Sequence, residues 1–290
     1  MAGRSRRGRR VLGALVAFVL VLTAAVGGVV LLLRQLEADP PLVARCTASE
    51  GDAAASLDPD QAANAALIAA IGVERGLPAR AVTIALATAM QESRLRNIDY
   101  GDRDSLGLFQ QRPSQGWGTE EQVMDPVYST NAFYDALVRV EGYQDMAITE
   151  AAQAVQRSGF PDAYAQHEPM ARLFASALTG WSPAALSCRL HDPDDGATAL
   201  PDLLARDLAS ASAQPHDGPA GGGEGERALA LSLAAGDATR TPWVLAHWAV
   251  ATADLTGALE VTVGDMRWTR ADAAWSPTDT PAPNGVVLVR

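Results

Sequence analysis

The sequence contains no lysine: all 23 of its basic residues are arginine. Histidine is scarce. His167, His191, His216 and His247 are spaced too widely for a zinc site or a Ser-His pair. Cysteine occurs only at Cys46 and Cys188, and no internal repeat is found. Acid is absent from the first ten residues, which hold five arginines, whereas the remainder carries 18 basic against 34 acidic side chains. A body so acidic argues against nucleic acid as a partner, because phosphate binding needs the opposite sign. It gives no support to electrostatic adhesion on anionic lipid.

Charge is also absent from Val11 to Leu33, 23 residues in all. That length spans a bilayer as a helix. The preceding arginines predict a cytoplasmic tail (1–10) and place the chain beyond Arg34 outside. A signal-peptide core is usually shorter, about 7–15 residues, and this run continues through Val29-Val30-Leu31-Leu32-Leu33. Residues 11–33 therefore read as an uncleaved transmembrane anchor. In an exported chain the two cysteines are expected to form a disulfide. One spanning helix lines no pathway, which argues against a transporter.

The chain after the anchor divides by composition. Residues 34–56 are polar and alanine-rich, contain Pro40-Pro41, and read as a linker. Asp58-Pro59 opens a helix that stops at Gly76, and Pro78 opens the next, running to about Leu95. Residues 96–118 read as loop with short irregular strands. Thr119 with Gln122 fits a capping box, and Asp125-Pro126 starts another helix. Thr149 is the expected cap of a helix through 151–156, and a last helix, interrupted at Pro169, ends at Gly180. Residues 189–224 end in a glycine-rich run and read as a second linker. Residues 225–290 show a helix from Thr241-Pro242, a hairpin turning at Gly264-Asp265, and a final strand. They read as a small α/β module that folds separately. The size of the chain, 290 residues, accommodates one large or two small domains.

The stretch that carries chemistry is Thr88 to Thr119. In the helix before it, Ala81, Ile84, Ala85, Thr88 and Glu92 fall on one face, so Glu92 prolongs an apolar stripe. A carboxylate so placed is a candidate proton donor, with an exposed surface glutamate as the plain alternative. Asp99, Asp102 and Asp104 follow in the loop. Their spacing is not that of an EF-hand. A second catalytic carboxylate and simple loop capping both remain open. Trp117, between two glycines, is either a sugar platform or a core plug.

Gln91-Glu92-Ser93, followed by Ser105-Leu106-Gly107-Leu108-Phe109-Gln110, resembles the core of the lysozyme-like superfamily, closest to soluble lytic transglycosylase and goose-type lysozyme domains. The resemblance covers about 57–180 and implies a mainly α, lysozyme-like domain over 57–188, needing no cofactor. It implies Glu92 as general acid, Ser93 as support for that carboxylate, and Ser105 and Gln110 as groove residues. Where the transglycosylases carry Ala-Tyr-Asn, then glycine and tyrosine, this chain has Ala154-Val155-Gln156, Gly159 and Tyr164. Gln156 would take the place of the asparagine as a sugar contact. Tyr164 would bond the acid or stack under a sugar, or serve as core aromatic. Residues 225–290 weakly resemble an extracellular module found with cell-wall enzymes. Its enzymatic relatives carry His-Asp-His zinc ligands that are missing here, so no metal is expected. The implied substrate is the glycan strand of peptidoglycan; the rival reading is a catalytically silent peptidoglycan-binding or scaffolding protein on the same fold.

Overall fold

The computed structural model describes residues 4–36, 42–193, 196–216, 228–233 and 237–290. It comprises two units, Met1–Leu42 and Val43–Arg290. The first holds one helix, α1 (Arg4–Leu36), whose segment Val11–Val30 is apolar and exposed throughout. At ~1.5 Å rise per residue, those 20 residues reach about 30 Å, the thickness of a bilayer's hydrocarbon core.

The second unit opens with a hairpin, β1 (Arg45–Glu50) and β2 (Ala53–Leu57), turning at Gly51, whose φ is +57°. The expected linker 34–56 thus ends early, and its last dozen residues belong to the folded unit. Helix α2 (Pro59–Glu74) follows, with Gln61 Oε1 accepting from the Asp58 N–H at 2.8 Å. This helix is buried almost all round, from Ala62 to Gly72. A helix apolar on every face belongs at the centre of a core, and α2 packs against elements from both ends of the unit. Its small side chains permit close approach: a Cβ on Gly72 would stand 2.8 Å from Val82 Cγ2 and 3.0 Å from Tyr134 Oη.

Helix α3 (Ala79–Ser93) ends at the site sequence. Residues 94–118 hold no sheet, only an isolated bridge between Leu106 and Gln111 and a 3-10 turn at Pro113–Gln115. Then come α4 (Glu120–Met124), α5 (Pro126–Leu137), α6 (Ile148–Gln156) and α7 (Glu168–Leu178). Thr119 caps α4 and Asp125 caps α5 through their side chains. Thr149 is not a cap. It lies inside α6 and donates to Pro161 O at 2.5 Å. Pro169 does not interrupt α7 but sits in its first turn, where a missing N–H costs nothing. Strand β3 (Leu186–Arg189) pairs back onto β1, giving the antiparallel order β2-β1-β3. Cys46 and Cys188 face each other across that pair and are disulfide-bonded.

The remainder does not form the separate module that the composition suggested. Helix α8 (Leu200–Asp207) and strand β4 (Ala211–His216) occupy the expected linker 189–224, whose glycine run lies outside the described residues. Strand β5 (Ala228–Leu233), α9 (Thr241–Ala251), α10 (Ala253–Thr256), and strands β6 (Glu260–Val263), β7 (Met266–Thr269), β8 (Ala274–Pro277) and β9 (Val287–Val289) follow. The second sheet is antiparallel, in the order β4-β5-β9-β6-β7-β8. Helix α9 packs on α2 and α7. His247 Nδ1 binds Ala177 O at 2.7 Å, Trp268 Nε1 donates to Ser187 Oγ at 3.1 Å, and Trp275 Nε1 donates to Leu186 O at 2.8 Å. Val43–Arg290 is therefore one unit of mixed α/β architecture rather than a mainly α domain with an appendage.

Candidate active site

The site grows from the abrupt end of α3. Arg94 and Leu95 both take positive φ, 56° each. A non-glycine residue there costs about 1–2 kcal/mol, so something must hold the pair. Two side chains of α2 do. Gln61 Nε2 donates to Arg94 O and Asn64 Nδ2 to Leu95 O, both at 2.8 Å. Arg157 and Gln110, with φ of 52° and 47°, repeat the pattern in the facing segments. Strain that persists because its surroundings enforce it concentrates at functional sites.

Glu92 stands in the last turn of this helix, half-buried. Tyr164, itself fully buried, donates its hydroxyl to Glu92 Oε1 at 2.7 Å. Gln156 bonds Phe109 O through Nε2 at 2.7 Å and stands near the Glu92 carboxylate, where its amide favours the charged form. No ion pair reaches Glu92 among the described residues. Burial raises the Glu92 carboxyl above its ordinary range, while the Tyr164 hydroxyl and the Gln156 amide oppose that rise. Desolvation disfavours the charged form, and neutral donors restore only part of what water supplied. The tyrosine is fixed in turn. It precedes the 3-10 turn Ala165–His167, whose Gln166 Nε2 and His167 Nε2 both meet Gln91 Oε1, at 3.2 and 3.0 Å. Burial, with Arg94 nearby, lowers the His167 pKa. A neutral imidazole with its proton on Nε2 therefore suits the bond to Gln91.

The loop after α3 is held by its own backbone. Ser93 does not touch the carboxylate. Its Oγ donates to Leu108 O at 2.7 Å and to Ala89 O at 3.1 Å, so it ties the Gly107–Gln110 segment to the helix end. Gly107, at φ +75°, is required, because a Cβ would meet Val123 O at 2.5 Å. Phe109 stacks on Phe133 with centroids 4.5 Å apart. Ser105 is buried inside the loop, its N–H bonded to Asp102 O. Gln110 spends its amide on Tyr100 O and Gly107 O, at 3.2 and 3.3 Å. The structure thus joins Tyr164 and Gln156 to Glu92, and places Ser93, Ser105 and Gln110 in the scaffold of the adjoining loop. Gln91 and His167 escaped sequence reasoning. No local spacing links them, because His167 lies 76 residues beyond Gln91 in the chain.

The aspartates are not drawn together. Asp104 is held by Arg112 Nε and the Ser114 N–H, both at 2.8 Å. Hydrogen bonds from Ser114, then Arg112, keep its carboxyl well below the usual carboxylate range. Asp99 and Asp102 are exposed. Among the described residues no group of three or more His, Cys, Asp or Glu side chains is arranged to hold a metal ion. No family model matches the chain, and no curated protein matches it.

Proposed function

We propose that the chain is a membrane-anchored cell-wall enzyme that cleaves the glycan strands of peptidoglycan between N-acetylmuramic acid and N-acetylglucosamine. In this reading α1 is an uncleaved anchor, residues 34–290 lie on the extracytoplasmic side, and the lysozyme-like part spans 57–188. The observation that carries the proposal is the half-buried Glu92, free of any cationic partner and held by a neutral hydroxyl from Tyr164. Such a group keeps its proton to higher pH than an exposed carboxylate does, and can deliver it to a glycosidic oxygen.

Asp104 is spent on Arg112 and Ser114, and among the described residues no second carboxylate is hydrogen-bonded to Glu92 or Tyr164. The economical mechanism therefore uses Glu92 twice. Its acid form protonates the leaving oxygen as the glycosidic bond breaks. The resulting carboxylate then takes the proton from the muramyl 6-hydroxyl, whose oxygen closes onto the anomeric carbon. Tyr164 and Gln156 stabilise the carboxylate between the two steps. The product ends in a 1,6-anhydro-muramyl residue, one water lighter than a hydrolytic product.

The test is mass spectrometry of peptidoglycan digested by the wild type and by Glu92→Gln. The variant keeps size and hydrogen bonding but has no proton to give, and its rate should fall ~10²–10⁴-fold. Undiminished cleavage by the folded variant would remove Glu92 from the mechanism. Reducing-end products would mean hydrolysis, with Asp99 or Asp102 as base. Absence of cleavage by the wild type on any glycan would leave only the binding or scaffolding role.

A further inference from the structure

Beside the Glu92 site runs a groove of about 660 Å3, lined by Gln115, Trp117, Arg139, Val140, Gln156 and Arg157. No acidic residue lines it. Arg139 and Arg157 are exposed, and neither makes an ion pair among the described residues. Other arginines of the unit, such as Arg75, Arg96 and Arg112, do have acid partners. Two free guanidinium groups on one acid-free wall are an anion site in waiting, since the fork geometry matches a carboxylate.

We propose that this groove is a subsite for a carboxylate carried on the glycan, and that it selects anionic amino-sugar strands over neutral ones. The proposal rests on the reading of Glu92 as the cleaving acid. Gln156 makes the connection. It lines the groove, donates to Phe109 O at 2.7 Å, and neighbours the Glu92 carboxylate. A saccharide at Glu92 that extends past Gln156 therefore brings its substituents onto Arg157 and Arg139. Arg157 owes its place to the positive φ (52°) that ends α6, fixed by its N–H on Gln153 O and by Gln153 Nε2 on Ser158 O, both at 2.9 Å. Trp117 is packed against the core on one side and lines the groove on another, so it offers a rigid apolar wall for a sugar ring. In peptidoglycan the carboxylate has two sources, the lactyl group of muramic acid and the acids of the stem peptide; both present the same chemistry to the two arginines.

The test measures binding without turnover. The full chain in detergent, carrying Glu92→Gln, is titrated calorimetrically with three tetrasaccharides. These are a neutral N-acetylglucosamine oligomer, a peptide-free muramyl strand with free lactyl carboxylates, and a strand bearing its stem peptides. At least one carboxylate-bearing ligand should bind about tenfold tighter than the neutral one, the scale of a charge-assisted pair in a solvated groove. Tight binding of the peptide-free strand assigns the lactyl group; a preference confined to the peptide-bearing strand assigns the stem acids. Adding Arg139→Gln and Arg157→Gln should bring the ratio to about one, and Arg139→Lys with Arg157→Lys should restore part of it. Equal affinity for all three ligands, or a preference that survives the folded double glutamine variant, overturns the proposal. A protein that prefers the anionic strand while its wild type releases no product keeps the subsite and loses the cleavage reading.

Discussion

Replacing Arg94 with glycine should make the protein more stable. Arg94 caps α3 at φ 56° and ψ 40°, the left-handed region, and its side chain is exposed. Its conformation costs about 1–2 kcal/mol relative to glycine. Glycine gives back about 0.4–1 kcal/mol through the greater entropy of the unfolded chain. The difference leaves about 0.5–1 kcal/mol of net stabilisation, a rise in Tm of roughly 1–4 °C for a unit this large. The bond from Gln61 Nε2 reaches the residue's carbonyl and survives the change. Two reverse substitutions calibrate the argument. Gly285 has φ +76° and nothing within 4 Å of its missing Cβ, so G285A should cost only the strain. Gly180 has φ +77°, and a Cβ there would stand 2.4 Å from Arg240 O, so G180A should cost clearly more than G285A. Calorimetric melts of the four proteins under one condition decide the matter. An R94G protein that melts below the wild type, or G180A equal to G285A, would refute the reasoning.

Tyr164→Phe removes a hydrogen bond that favours the charged form of Glu92, so Glu92 keeps its proton to higher pH. The alkaline fall of kcat/KM, which follows loss of the acid's proton, should move upward in pH; a limb that stays or moves down contradicts the assignment. Replacing both Cys46 and Cys188 with alanine opens a link across 142 residues, worth about 5 kcal/mol in the chain-entropy model, and the urea midpoint should drop accordingly; an unchanged midpoint speaks against it. A cysteine placed at exposed Asp265 in the turn between β6 and β7 should react with a membrane-impermeant reagent in cells stripped of outer layers. Labelling only after lysis would reverse the proposed topology.

The elements that announced themselves were those with local punctuation. Asp58-Pro59, Thr119 with Gln122, Asp125-Pro126 and the turn at Gly264-Asp265 each satisfy backbone groups within a few residues, and each stands where its sequence pointed. The cysteine pair is bonded, as expected. What stayed hidden depended on distant partners. Arg45–Leu57 is rich in alanine, a poor strand former; its hairpin is completed by β3, 142 residues away at the disulfide. Helix α8 shows Leu200, Leu203 and Leu204 at helical spacing, yet it is short, and flanking proline and glycine made it look like linker. The unity of Val43–Arg290 rests on contacts such as Trp275 with Leu186 and His247 with Ala177, which no local pattern advertises. In the site, the helical stripe made Glu92 visible, but whether Tyr164 was core or partner could not be read from spacing. It is both, a fully buried ring with its hydroxyl on the carboxylate.

The disulfide has a mechanical meaning. Any pull transmitted along the chain from its N-terminal side enters the folded unit at Val43, three residues before Cys46. Hydrogen bonds between β1 and β2 would unzip one at a time under such a load. For a load that leaves through the chain beyond Cys188, the covalent bridge instead passes the force across, so residues 47–187, which contain Glu92, Gln156 and Tyr164, are bypassed. While the bridge is intact, stretching between the two ends of the chain cannot draw out residues 47–187, and the geometry around Glu92 is isolated from that tension.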